Sequence, residues 1–310
     1  QFSMDFSVII SGYKEGALET LKACDLCEVE SGRVEFIFAD NTPDGRHQSG
    51  FQNWLDSRLD GLPKVTYLHV PKPGKTVAQN AAISEAVGRW IIFLDDDVVP
   101  DRLLFQAYRD AIKAFDVEAV QGRIDLHFTA TETMPPWFCE RFRTDLAEIA
   151  FAEPIYPYTY GLTGANMCIK RDAFSRYGLF DERFGPGKSG TLEDLEFSKR
   201  LQRNDRKELY WPKAVVTHQI PPERMTIKAF CRIYYDFGFS SYLLDEHAKD
   251  SDKRSYLRQA LWSFRQIMKH TLLAIYNRIL GRRSAFAIHR CMMSRNHGFM
   301  RHILQAKGSR

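Results

Sequence analysis

Long hydrophobic runs and paired cysteines are scarce in this sequence of 310 residues. No uncharged apolar stretch approaches the roughly 18 residues that a membrane-spanning helix needs. Residues 7–10 are too short for the core of a secretory signal and follow no basic segment, so we expect the protein to be made and to stay in the cytoplasm. The lone pair Cys24 and Cys27 has no second pair at zinc spacing, which favours ordinary reduced thiols over a zinc site.

Acidic residues are almost absent from the last part of the chain. Residues 251–310 contain 13 Lys and Arg residues but a single acid, Asp252, whereas the rest of the chain is net acidic. The overall formal charge of +4 therefore hides a strongly basic tail on an acidic body. Such an asymmetry indicates a tail that meets an anionic surface.

The most informative stretch is residues 90–100, which read WIIFLDDDVVP. Its first five residues predict a strand buried on both faces, and Pro100 is expected to end strand pairing. Asp95, Asp96 and Asp97 would repel one another at the strand end unless a cation lies nearby. Mg²⁺ or Mn²⁺ would take one or two of these oxygens and leave positions for phosphate oxygens, whereas the simpler interpretation is a solvated acidic turn.

Strands alternate with helices along the first part of the chain. Further hydrophobic runs at residues 6–11, 34–39 and 65–70 predict buried strands. This alternation predicts an α/β fold with a mixed, mostly parallel sheet flanked by helices, in which ligands bind beyond the carboxyl ends of the strands. Tyr13, Asp40, Lys75 and the three aspartates follow strand ends or lie in adjoining loops, so we expect them to converge on a site suited to a nucleotide diphosphate.

Several short motifs together point to a family. They are Ser11-Gly12-Tyr13-Lys14 after the first strand, Ala78-Gln79-Asn80 ahead of the aspartate strand, Gly164-Ala165-Asn166 in a later glycine-containing strand, and Glu193-Asp194 at a helix start. Over about residues 6–240 the chain resembles family-2 glycosyltransferases of the GT-A (Rossmann-like) fold, particularly bacterial members that build surface polysaccharides. Two motifs depart from the family: only the tyrosine of its Pro-Thr-Tyr-Asn turn is kept, and Gln79 replaces the arginine of Ala-Arg-Asn.

The resemblance implies roles for the residues that would bind the nucleotide-sugar. Tyr13 would lie against the base and Asp40 would hydrogen-bond it. Lys75 is our candidate for the diphosphate, since the family's arginine is missing. By the same resemblance Asp95 and Asp96 lie nearer the ribose, Asp97 binds the metal (Mn²⁺ or Mg²⁺), and the strand with Gly164 and Asn166 runs beside the donor sugar.

The Glu193-Asp194 pair has two interpretations. Acidic residues in the first helical turn suit the helix dipole and need no catalytic role. The resemblance instead makes Asp194 the general base of an inverting transfer, with Glu193 as runner-up or as a group that orients the acceptor. His218 follows a late strand, where a histidine is either a structural hydrogen-bonder or, as the fold implies, part of the metal or diphosphate site.

Two regions remain open to structural or functional interpretations. The aromatic-rich segment 129–160, which includes Trp137, predicts either an acceptor-binding flap or a loop packed by its own side chains. The apolar residues of the C-terminal region recur at steps of three and four, at Leu257, Leu261, Phe264, Met268, Leu272, Ile275 and Ile279. This stripe would either pack on the catalytic domain or a second subunit, or lie in the inner leaflet of the membrane.

The predicted organisation is a GT-A catalytic domain over residues 1–225 and a basic, amphipathic helical extension over 226–310. The predicted function is inverting, metal-dependent transfer of a hexosyl group from a nucleotide-sugar, with UDP as the default nucleotide, to a glycan or lipid-linked acceptor in surface polysaccharide biosynthesis. Expected partners are the donor, the acceptor, an anionic membrane surface and a second copy of the chain. Nucleic acid is not expected as a partner.

Two alternative functions belong to other classes. A sugar-nucleotide pyrophosphorylase would share the sheet and metal but would require a glycine-rich, arginine-containing loop after the first strand, which residues 11–15 do not provide. A non-catalytic nucleic-acid-binding protein would account for the basic tail. It would leave the aspartate triplet, Glu193-Asp194 and His218 without a role.

Overall fold

The computed structural model describes residues 4–14, 16–29, 32–59, 61–129, 134–204, 207–246 and 253–308. The chain divides into two compact units. The first comprises residues 1–127, 147–182 and 193–219, and the second comprises residues 128–146, 183–192 and 220–310. The predicted domain boundary near residue 225 stays a prediction.

The first unit is built on a mixed sheet. Its strands are β1 (Phe6–Gly12), β2 (Val34–Asp40), β3 (Lys64–His69), β4 (Trp90–Leu94), β5 (Val98–Pro100), β6 (Ala119–Phe128), β7 (Asn166–Lys170) and β8 (Glu208–Ile220), and the last residues of β6 and β8 belong to the second unit. The strand order is β3-β2-β1-β4-β7-β6-β8-β5. Strands β1 to β4 pair in parallel, whereas β4–β7, β6–β7 and β5–β8 pair antiparallel. The predicted mixed, mostly parallel sheet flanked by helices is confirmed.

Helices cover both faces of this sheet. The helices of the chain are α1 (Ala17–Cys24), α2 (Gln48–Asp56), α3 (Lys75–Glu85), α4 (Leu104–Ala114), α5 (Arg141–Asp145), α6 (Arg171–Tyr177), α7 (Glu193–Asn204), α8 (Ile227–Glu246), α9 (Lys253–Ile279) and α10 (Arg283–Gly308). Alternate residues of β2 enter two separate cores: Phe36 packs with α1, α2 and α4, and Ile37 packs with α3, α6 and α7. This two-sided burial explains why the strands read as continuous apolar runs.

Strand pairing ends at Pro100, as expected, but a short strand that was not predicted lies between the aspartates and this proline. Pro100 is the last residue of β5 and pairs with Val216 of β8, while Val98 pairs with His218. Strand β5 is the edge strand of the sheet. A proline is tolerated there because an edge strand does not need every backbone N–H for a neighbour.

The second unit is largely helical. Gly238 of α8 and Gly298 of α10 let the two helices approach backbone to backbone, since a Cβ atom at either glycine would overlap the main chain of the other helix. Trp137 packs edge-on against Phe142 and Phe230 in an aromatic cluster. Among the described residues, none of the helices combines the length and the apolar character needed to cross a bilayer.

A buried hydrogen-bond network joins the strands on the antiparallel side of the first unit. The Asn166 side-chain amide donates to the carbonyls of Arg123 and Ala214, both at 2.9 Å, and its Oδ1 accepts a 2.7 Å hydrogen bond from the Tyr108 hydroxyl. Gly122 borders this amide, and a Cβ atom there would overlap Asn166 and lie 2.6 Å from the Ala214 carbonyl oxygen. The absence of a side chain at Gly122 is therefore a condition for this network.

We expect Gly122→Ala to lower the free energy of unfolding by about 2 kcal/mol, because the added methyl group must displace the Asn166 amide or the backbone of β8. Denaturant titration followed by circular dichroism measures the change. The matched control is Gly16→Ala, where nothing lies within 4 Å of the added atom, and the change should stay within about 0.5 kcal/mol. Equal stabilities of the two variants would contradict this account.

Candidate active site

The predicted site residues of the first unit gather where the parallel strands end. Residues 95–97 follow β4 directly, and the loop after β1 lies beside them. The backbone N–H groups of Tyr13 and Lys14 both donate 3.0 Å hydrogen bonds to Asp96 Oδ2. Asp96 therefore fixes the loop after β1 against the end of β4.

Asp97 lies between two cationic or basic groups. Its Oδ2 is 2.5 Å from Lys14 Nζ and 3.2 Å from His218 Nε2, and the Asp97 side chain is 14% exposed. Burial alone would raise the pKa of Asp97, but the hydrogen bond and charge of His218 and the charge of Lys14 outweigh it and hold the pKa below its ordinary value. Val98 pairs with His218 in the β5–β8 register, and this pairing places His218 beside Asp97, the residue that precedes Val98.

This pair fits a divalent metal. A carboxylate oxygen and an imidazole nitrogen are ligands that Mn²⁺ accepts, and two protein ligands leave coordination positions for phosphate oxygens and water. The Lys14 ammonium, which also lies 3.2 Å from Asp96 Oδ1, supplies the positive charge that these carboxylates require. Among the described residues no group of three or more His, Cys, Asp or Glu side chains is arranged to hold a metal.

Lys75, at the start of α3, links the aspartate triplet to α7. Its Nζ is 2.5 Å from Asp95 Oδ1 and 3.3 Å from Glu193 Oε1. Burial alone would lower the pKa of Lys75, but the charges of Asp95, Glu193 and Asp194 outweigh it and raise the pKa above its ordinary range. Lys75 is therefore a permanent cation among three carboxylates.

Backbone N–H groups hold both carboxylate oxygens of Asp194. Its Oδ2 accepts a 2.8 Å hydrogen bond from the Gly164 N–H, and its Oδ1 accepts another of 2.8 Å from the Leu195 N–H. Burial and the charge of Glu193 raise its pKa to about 7, against the opposing effect of Lys75 and the two N–H groups. A carboxylate with a pKa near neutrality is suited to accept and release a proton.

Gly164 packs closely against these charges. A Cβ atom there would lie 3.1 Å from Lys75 Nζ and 3.6 Å from Asp194 Oδ2.

The loops after β1 and β2 form a second part of the site. The Tyr13 side chain is 59% exposed, and the guanidinium of Arg46 lies 5.7 Å from its ring centroid while donating a 2.9 Å hydrogen bond to its carbonyl. Asp40 is fully buried, and its oxygens accept hydrogen bonds from Thr42 and, at 2.6 Å, from the Tyr67 hydroxyl. The predicted hydrogen bond between Asp40 and the base of the nucleotide stays a prediction. The hydrogen bonds that Asp40 accepts from Thr42, His47 and Tyr67 order the turn that carries Arg46.

Two further predicted site residues, Asn166 and Trp137, have other contacts in the structure. Asn166 is completely buried and makes the network described above, so its predicted contact with the donor stays a prediction. Trp137 belongs to the second unit, and its predicted contact with the acceptor also stays a prediction. Lys14 and Arg46 were missed as site residues. The available signal was a basic residue in each turn that follows a buried strand.

Comparisons with known proteins bear on both fold and family. The family profile described as "Glycosyltransferase like family 2" matches residues 52–232. The Succinoglycan biosynthesis protein ExoM of Rhizobium meliloti is 26% identical over 214 residues, which cover 67% of this chain and 64% of ExoM. This chain thus matches just under two thirds of the length of that relative.

Solved structures share the fold at low sequence identity. The mannosyltransferase PcManGT of Pyrobaculum calidifontis, in complex with GDP-Man and Mn²⁺, has a TM-score of 0.57 at 15% identity and is matched over 99% of this chain and 76% of its own. S. aureus TarS 1-349, in complex with UDP-GlcNAc, has a TM-score of 0.52 at 13% identity over 99% and 93% of the two chains. GalNAc-T7 with UDP, GalNAc and Mn²⁺ has a TM-score of 0.51 at 15% identity, over 77% of this chain and 51% of its own.

The family profile covers more than half of the chain and includes the aspartate triplet, Lys75 and the Glu193-Asp194 pair, so the predicted family is confirmed. The fold of the structural neighbours agrees with the mixed sheet observed here. This chain belongs to glycosyltransferase family 2.

Proposed function

We propose that this protein is an inverting, metal-dependent hexosyltransferase that moves a sugar from a nucleotide-sugar, with UDP as the default nucleotide, to a hydroxyl of a glycan or lipid-linked acceptor. The observation that carries the proposal is the arrangement of Asp194, Gly164 and Lys75. It joins a partly buried carboxylate with a pKa near 7 to a permanent cation, with a glycine that packs closely against both.

In the proposed reaction Asp194 is the general base. It removes the proton from the acceptor hydroxyl as that oxygen forms a bond to the anomeric carbon of the sugar. The bond between that carbon and the diphosphate breaks at the same time, so the configuration inverts and a nucleoside diphosphate leaves. The N–H groups of Gly164 and Leu195 fix the carboxylate in place, and Glu193 remains the runner-up for the base.

The diphosphate would bind where positive charge is available. Lys75 is positioned to contact it, since its ammonium lies between Asp95 and Glu193 and close to Gly164. Asp97 and His218 would hold Mn²⁺ or Mg²⁺. A bound metal stabilises the negative charge of a departing diphosphate. Asp95 and Asp96 would contact the ribose side of the donor or support the metal ligands.

Tyr13 and Arg46 would receive the nucleoside. An exposed tyrosine ring beside a guanidinium offers a stacking surface and a planar hydrogen-bond donor. PcManGT binds GDP-Man and Mn²⁺, and TarS binds UDP-GlcNAc. Both support a nucleotide-sugar donor for this protein, but because their nucleotides differ, the nucleotide has to be identified by binding measurements.

The similarity to ExoM, a succinoglycan biosynthesis protein, supports a role in polysaccharide biosynthesis. The acceptor would then be a growing surface glycan or its lipid-linked precursor. We propose that the protein acts in the cytoplasm, peripherally at the inner face of the plasma membrane. A homodimer stays a prediction.

Asp97→Ala should abolish metal-dependent donor binding, because it removes a carboxylate that faces both His218 and Lys14. The measurement is calorimetric titration of UDP, GDP and dTDP, each with Mn²⁺ and with EDTA. One nucleotide should bind tightly with Mn²⁺ only, and this binding should be lost in the variant but kept in Asp110→Ala, an exposed control on α4. Equal binding in EDTA would disprove the metal requirement.

Asp194→Asn should keep donor affinity and lower kcat by about 10²–10⁴, because an amide of nearly the same shape cannot accept the acceptor proton. Transfer of labelled sugar to membrane glycolipid measures kcat, with sugar donors that carry the nucleotide identified by calorimetry. Asp172→Asn, an exposed carboxylate on α6, is the matched control. Normal transfer by Asp194→Asn would exclude Asp194 as the base, and Glu193→Gln would then be the variant to examine.

Lys14→Met should raise the affinity for Mn²⁺ in the absence of nucleotide by about tenfold, because the ammonium that neutralises Asp96 and Asp97 is removed. Electron paramagnetic resonance of free Mn²⁺ measures the affinity. The control is Lys72→Met, an equal charge change at an exposed lysine that pairs with Glu182. An unchanged or weaker affinity would show that Lys14 and the metal do not share these carboxylates.

A further inference from the structure

The helix α9 exposes its apolar face and buries its polar one. The seven apolar residues of the stripe predicted from the sequence are between 47% and 78% exposed, namely Leu257, Leu261, Phe264, Met268, Leu272, Ile275 and Ile279. Ser263, His270, Ala274 and Asn277 lie on the opposite side and are at most 9% exposed. A helix that packs by its hydrophobic stripe would show the reverse.

The polar side of α9 is held by specific contacts. His270 Nδ1 lies 3.0 Å from His289 Nδ1 of α10, and the Asn277 side-chain amide donates to the Leu273 carbonyl within the helix. His270 and Asn277 therefore have partners inside the helical unit, whereas the buried Ser263 hydroxyl has none among the described residues. The outward direction of the stripe is therefore a property of how α9 packs on α10.

Basic residues flank the exposed stripe. Arg258, Arg265 and Lys269 are all exposed, and at 100° per residue they lie along one edge of it. Trp262 and Tyr276, 55% and 54% exposed, lie at the same edge. An apolar band bordered by cations and by aromatic rings with a polar tip is the composition of a helix that lies in a membrane interface.

The charge of this region favours lipid over a second copy of the chain. Residues 253–310 contain no Asp or Glu. If α9 packed on α9 of another copy, Arg258, Arg265 and Lys269 would face like charges with no carboxylate on either helix to offset them. An anionic bilayer supplies both the apolar layer and the negative charge.

We propose that α9 docks this protein on an anionic phospholipid surface, with its apolar stripe below the headgroups and its cations among the phosphates. Long basic side chains can extend toward headgroups while their stems cover apolar surface. This inference goes beyond the proposed transfer reaction and does not depend on it, because it rests on α9 alone.

The test is flotation of the full chain with vesicles of phosphatidylcholine alone and of phosphatidylcholine with 30% phosphatidylglycerol. We expect binding to the anionic vesicles that weakens in high salt. The charge variant Arg258→Gln, Arg265→Gln, Lys269→Gln should lower the partition coefficient by about a hundredfold. Its matched control replaces three exposed lysines of the first unit, Lys64, Lys113 and Lys199, by glutamine and should bind as the unchanged protein does.

The apolar part of the proposal has its own variant. Leu261→Gln, Phe264→Gln and Leu272→Gln together should abolish binding, whereas the same change at Leu26, Leu59 and Leu304, which are 61% to 80% exposed elsewhere, should have no effect. All six positions are exposed, so thermal unfolding monitored by circular dichroism should be unchanged.

Three results would overturn the proposal. One is equal binding of the stripe variant and its control to anionic vesicles. Another is equal binding to neutral and anionic vesicles. The third is a dimer in sedimentation equilibrium without lipid that the stripe variant dissociates, because the stripe would then be the interface between two copies. A monomer in sedimentation equilibrium, together with salt-sensitive binding to anionic vesicles, would support the proposal.

Discussion

Five carboxylates meet at one edge of the sheet, and the rest of the site depends on how their repulsion is relieved. Residues 95–97 directly follow β4, and Glu193 and Asp194 lie in the first turn of α7. Lys75 joins Asp95 to Glu193, and Lys14 joins the other two aspartates of the triplet. Carboxylates this close and this buried would otherwise take up protons, since burial and like charge both favour the neutral form. Burial and the charge of Glu193 raise the pKa of Asp194 to about 7, a value that suits a general base.

The two lysines differ in a way that separates their roles. The Lys75 side chain is 16% exposed and lies among three acids, so it is a fixed part of the site. The Lys14 side chain is 55% exposed and reaches in from the loop after β1. An exposed, flexible ammonium can withdraw at little cost, whereas a buried one cannot. We therefore propose that a bound metal would replace the Lys14 ammonium beside Asp97 and His218.

In the second unit, helix α9 exposes an apolar stripe that none of the described residues covers. In a helix that is amphipathic by sequence, the stripe normally faces the core. In α9 the buried side instead carries Ser263, His270 and Asn277, and the stripe with its basic border faces outward. The sequence pattern was compatible with either direction, because periodicity defines a face without defining what covers it. Packing on α10 decides the direction, and the charge of the border favours a lipid surface.

The sequence by itself determined the strands, the alternation with helices and the family, because apolar runs buried on both faces and short motifs at strand ends are local features. Only the tertiary structure decided which side chains meet. Lys14 and Asp97 are 83 positions apart, and His218 reaches Asp97 through the register of the short edge strand β5 that was not expected beyond the aspartates. The same long-range packing turned Asn166 into the sheet and placed Arg46 beside Tyr13. Register and side-chain direction follow from contacts between distant segments, and local composition does not specify them.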